Sequence, residues 1–124
     1  MFEDVIEKLC TSMEYSIVLE VEMLRNLARL RIGWDLYGDE FIINVRKDSE
    51  NKFYMYHEFP LWDKLNTNII KRYVNQRGLY SYYEDSMNWI ACKGLDDSEQ
   101  LFYALIEMVK ICTQIEAIIV KKGY

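Results

Sequence analysis

Apolar residues recur at helical spacing at the start of the chain: Phe2, Val5, Ile6, Leu9 and Met13 lie on one side, with Glu3, Asp4, Glu7 and Lys8 on the other. That pattern predicts an amphipathic helix with acids in its first turn, where the helix dipole favours them. From Tyr15 to about Leu36 two periods match at once. Tyr15, Ile17, Leu19, Val21 and Met23 alternate as in a strand, as do Ala28, Leu30, Ile32, Trp34 and Leu36, while Met13, Ile17, Val21, Leu24 and Ala28 form a helical stripe. The strand reading is preferred from about Arg29 onward, where Gly33 and the Tyr37 to Glu40 turn punctuate the chain.

The remaining elements are simpler. Phe41–Lys47 and Phe53–Phe59 flank a polar loop, Asp48 to Lys52, as in a hairpin that Pro60 ends. Asn66 or Thr67 can cap a helix with Ile69, Ile70, Tyr73 and Val74 on its apolar face and Gly78 at its end. Leu79–Tyr83 and Met87–Cys92 read as a second hairpin. Asp96, Asp97 or Ser98 then caps a long helix to about Lys122. The predicted fold is one α+β domain over residues 1–124, an antiparallel sheet with helices packed on it. Its order is helix, two to four strands, helix, two strands, helix. The last helix has a narrow polar stripe (Gln100, Tyr103, Glu107, Lys110, Gln114, Lys121) and a wide apolar arc that needs cover on more than one side. Glu116 falls inside that arc. Either the helix end projects past the core, or a carboxylate is set at an interface.

Charge and chemistry narrow the function. Of 124 residues, 51% are hydrophobic and 15% aromatic, enough for one core. Twenty acidic against fifteen basic residues leave a net charge of -5, which repels phosphate backbones and makes nucleic acid an unexpected partner. The first residues lack a signal-peptide pattern and no long apolar run spans a membrane, so the cytoplasm is expected. Three cysteines, Cys10, Cys92 and Cys112, without paired spacing suit a reducing compartment. His57, the single histidine, reads as a strand residue at a surface or interface rather than a general base. With no metal-ligand cluster, phosphate loop or nucleophile–base pair, neither enzymatic activity nor a metal or cofactor is expected.

Gly78 to Cys92 followed by Leu95–Asp97, Leu101 and Leu105–Val109 resembles the end of the small class I chaperones of bacterial type III secretion. Phe2–Leu9 resembles their first helix, and Gly38–Phe41 through Pro60 and Leu61 their central hairpin; together this covers about two-thirds of the chain. Bacterial sensory-transduction regulator domains, of similar fold, are resembled almost as closely. The chaperone resemblance implies a homodimer that holds an extended segment of a secreted effector. The dimer is expected on Ile69, Ile70, Tyr73, Val74, Tyr80, Tyr82 and Trp89. Partner capture is expected on Phe2, Val5, Ile6 and Leu9 with Tyr54 and Tyr56 nearby, unless that first stripe packs on the domain's own sheet. An immunity or inhibitor protein that neutralises a toxin or nuclease is the alternative.

Overall fold

A computed structural model of the chain describes residues 2–11, 18–34, 40–59, 67–76, 78–84 and 87–121. Within these, the side chains of 34, 58–59, 67–70, 80–84, 87–88 and 118–120 are outside the description. The elements in chain order are α1 (Phe2–Thr11), β1 (Glu20–Leu24), β2 (Leu27–Trp34), β3 (Glu40–Lys47), β4 (Phe53–Phe59), α2 (Thr67–Asn75), β5 (Tyr80–Glu84), β6 (Met87–Leu95) and α3 (Ser98–Lys121). The six strands form one antiparallel sheet in the order β1-β2-β3-β4-β6-β5. The α+β order is the one the pattern predicts.

Where the stretch from Tyr15 to Leu36 is described, over residues 18–34, the double reading resolves as two strands that begin at Glu20, well before Arg29; Tyr15, Leu36 and most of the Tyr37 to Glu40 turn lie outside the described residues. Val21, Leu24 and Ala28, members of the competing helical stripe, lie in β1 and β2; Met13 and Ile17 are outside the described residues. Leu24 pairs with Leu27 across a two-residue turn in which Asn26 has φ 59°, a left-handed conformation that asparagine tolerates. The β3–β4 loop is organised by Asp48, whose Oδ1 accepts from the backbone N–H groups of Glu50 (2.8 Å) and Lys52 (3.0 Å).

Alternation along β2, β3, β4 and β6 sends Ala28, Leu30, Phe41, Ile43, Val45, Phe53, Met55 and Ile90 into one core with the helices. Phe2 of α1 stacks on Phe53 at 5.9 Å, and α1 also lies against α3. α3 starts on a reciprocal cap: Asp97 Oδ1 accepts from the Gln100 N–H (2.9 Å), and Gln100 Oε1 from the Asp96 N–H (2.8 Å). α2 ends in a Schellman motif, with Leu79 N–H donating to Val74 O (3.3 Å) and Gly78 N–H to Asn75 O (3.2 Å). Gly78, at φ 79°, supplies the left-handed residue, and Val74 and Leu79 are both buried in the core. Tyr73 bonds Gln114 of α3. All three helices thus join one core on one side of the sheet.

Three sequence expectations change here. Phe2, Ile6 and Leu9 are buried core residues and Val5 is half-buried against them, so the α1 stripe packs on its own domain and is not open to a partner. Val74 is also fully buried, because the Schellman turn folds it onto Leu79; it cannot be a dimer contact. Glu116 is 3% exposed, so the helix does not project past the core at that turn. The α2 side chains described as exposed are Lys71, Arg72 and Asn75, and Gln76 just beyond the helix is exposed too, a polar surface. Ile69 and Ile70 have no described side chains.

Candidate protein-binding surface

The sheet face opposite the helices carries a connected aromatic patch. Register rows across the sheet set Asn44 beside Tyr56, Tyr56 beside Ala91 and Ala91 beside Tyr80, with Arg46 beside Tyr54 in the next row. Opposed residues of antiparallel strands share a face. Ala91, between Tyr56 and Tyr80 in the register, is buried. Tyr56 and Trp89 meet edge to face with centroids 5.6 Å apart, and Tyr54 stacks on Tyr56 at 6.0 Å. Arg46 Nε donates to Tyr56 Oη at 3.3 Å, and that bond is the main reason its guanidinium is held above its ordinary pKa. Arg46, Tyr54, Tyr56 and Trp89 are each half-buried, packed against one another yet open on top.

A bulge finishes the patch. Met55 pairs with Cys92 and Phe53 with Leu95, so Lys93 and Gly94 together oppose Tyr54. Gly94 takes φ 74°, and the exposed Lys93 stands beside the aromatic rows. Sequence reasoning assigned Tyr54 and Tyr56 to a partner site and Trp89, Tyr80 and Tyr82 to a dimer interface. The structure brings Tyr54, Tyr56 and Trp89 into one patch and pairs Tyr82 with Trp89. Tyr73, on α2, stays apart from it, tied to α3.

The other half of this face is charged. Arg29 Nη1 bonds Glu22 Oε2 (2.9 Å), and Arg31 bonds Glu20 Oε2 through Nη2 (3.0 Å) and Nε (3.2 Å). β1 beyond them is an edge strand that exposes Leu24 (46%) and Met23 (38%), with Leu19, the residue just before it, 57% exposed. Neither this edge nor Arg46 was a candidate in the sequence. Its signal was present all the same, as Glu20 and Glu22 spaced to match Arg29 and Arg31 across a short turn.

The groups with catalytic potential sit elsewhere. His57 is buried, correcting its expected surface position; it stacks on Phe41 at 4.4 Å, and Nδ1–H donates to Ile42 O at 2.7 Å. The β3–β4 register ends at Asn44–Tyr56, so beyond it this carbonyl meets the imidazole rather than a strand. The three thiols are free, and burial raises the pKa of each, most of all Cys112, where the Glu116 charge adds to the effect. Among the described residues no three His, Cys, Asp or Glu side chains gather where they would hold a metal ion, and no helix is long and apolar enough to cross a membrane.

No protein-family model matches the chain, and comparison with curated proteins and with solved structures returned no match.

Proposed function

We propose that this chain is a non-catalytic protein-binding domain that holds an extended segment of another protein, in the way of the class I secretion chaperones it resembles. The observation that carries the reading is the sheet face, covered by no described helix, on which Arg46, Tyr54, Tyr56 and Trp89 contact one another while remaining half-exposed. Tyrosine, tryptophan and arginine are the residues that dominate binding energies at protein interfaces. Their rings are already ordered by mutual contacts, so little rotamer entropy is lost on binding. A net charge of -5 keeps such a surface soluble. A cytoplasmic setting with reduced thiols belongs to the same proposal, and so does a homodimer, which uses Trp89 in place of the buried Val74.

The inhibitor reading finds its support in α1, whose outer side exposes Glu3, Asp4 and Glu7. Salt separates the two, since charge-driven inhibition weakens steeply with ionic strength and aromatic docking does not.

The experiment is co-purification of the full chain with its partner, in parallel with Tyr56→Ala and Trp89→Ala. Each truncation should cost about 2 kcal/mol or more of binding, the range of interface hot spots. Melting should move little, because neither side chain lies in the core cluster. Undiminished binding by the double variant would refute the proposal.

A further inference from the structure

We infer that the free edge of β1 accepts a seventh strand from the partner, and that this strand alternates basic and apolar residues. The inference rests on the protein-binding reading and gives it a second contact. Among the described residues β1 pairs with β2 alone, whereas the opposite edge strand, β5, lies against α2. Three of the four large apolar residues exposed among the described ones, Leu19, Met23 and Leu24, fall within six positions at this edge. Native sheets commonly blunt an edge with lysine, proline or a bulge. Glu20–Leu24 contains no lysine or proline, and its register with β2 is unbroken. Its two acids do not guard the edge either, since both are drawn back onto β2 by Arg29 and Arg31.

The chemistry of the incoming strand follows from the side-chain alternation. Val21 packs on the core cluster, so Val21 and Met23 belong to the helix side of the sheet, and Glu20, Glu22 and Leu24 to the other. An added strand therefore meets apolar neighbours at every second position on the helix side. On the other side its residues lie beside Glu20 and Glu22. Lysine or arginine there extends the cross-strand order to basic, acidic, basic, with Arg31–Glu20 and Arg29–Glu22 as the first two members. Main-chain hydrogen bonds along the edge supply affinity, and this alternation supplies the choice of sequence. A second copy of the chain is the poorer occupant. Pairing all of β1 with itself, antiparallel about Glu22, sets two glutamates directly opposite each other.

The test uses short synthetic peptides against the full chain. One alternates lysine and valine, a second alternates glutamate and valine, and a third has the lysines and valines of the first in two blocks. The alternating lysine peptide should bind at least about tenfold more tightly than either control, a difference within reach of a few good cross-strand pairs. Amide exchange at Glu20–Leu24 should slow on binding. Glu20→Gln combined with Glu22→Gln should erase the preference for lysine over glutamate, and Glu99→Gln, exposed at the start of α3, should leave it intact. Equal binding of the block peptide, or binding without protection of β1 amides, would overturn the inference. So would β1 amides already protected in a dimer of the chain alone. A natural partner that binds while β1 amides exchange freely would sink this edge contact and leave the protein-binding reading standing. Failure to find any partner would strike that reading, and the peptide preference would still decide the edge.

Discussion

Cys112 shows what one buried side chain does to the whole chain's stability. It sits on the inner side of α3, one turn before the buried Glu116, and both its burial and that negative charge raise its thiol well above the ordinary 9.0. Cys10 and Cys92 are raised in the same direction by burial. A raised acid is protonated in the native state where the unfolded chain has already lost its proton. The stabilising effect is therefore complete below pH 9 and disappears as pH climbs beyond it, with a limiting slope of about 1.4 kcal/mol per pH unit for each such group. Denaturant titrations should show stability level up to about pH 9 and falling above it. Cys112→Ala should lower the plateau through its cavity yet shallow the alkaline fall; an unchanged slope would mean that other groups cause it. His57 teaches a related lesson. Its place on β4 was evident from alternation, but its partner, Ile42 O, is available only because the β3–β4 ladder stops short.

The secondary-structure elements divide by the range of the signals that define them. The β3–β4 hairpin, the Gly78 terminus of α2 and the Asp97 cap of α3 were legible because each depends on residues within a few positions of one another. β1 and β2 were not. Over Tyr15 to Leu36 the helical and strand periods coincide, and the deciding facts are the Arg25–Asn26 turn and two Glu–Arg pairs between strands. α1 was legible as a helix, yet the role of its stripe was not, since an amphipathic pattern looks the same whether its own sheet or a partner covers it. With Leu9 fully buried and Phe2 stacked on Phe53, the stripe is core. Ile6→Asp should accordingly unfold the domain instead of merely blocking a partner, as loss of the native circular dichroism spectrum will show. Leu9→Ala should cost about 2–5 kcal/mol in denaturant unfolding, the usual penalty for a leucine truncated in a packed core.

For the assembled domain, the merging of two predicted interfaces has a consequence for stoichiometry. Trp89, expected in a dimer contact, touches Tyr56, expected in a partner contact. A standard interface covers on the order of 800 Å² per chain, far more than two adjacent rings, so a second copy and a partner cannot occupy this patch together. Light scattering should give a dimer for the chain alone, twice 14.9 kDa, that gives way to a complex of one chain with one partner. Trp89→Ala should weaken both associations. A complex holding two copies of the chain, with dimer contacts intact, would place the two interfaces apart.

The α+β class, the β3–β4 hairpin loop, the Asp97 cap of α3, the Gly78 terminus of α2 and the net acidity could be read along the chain, because each is set by neighbouring residues or by composition; the extent of β1 and β2 could not. Which apolar stripe went inside was settled by folding. The α1 stripe and Val74 found cover within their own domain, whereas Tyr54, Tyr56 and Trp89 were left half-open on the sheet face that no described helix covers. The physical reason is that burial belongs to pairs of surfaces, and a surface's partner here lies many residues away: Phe53 for Phe2, Leu30 for Val21, Trp89 for Tyr56.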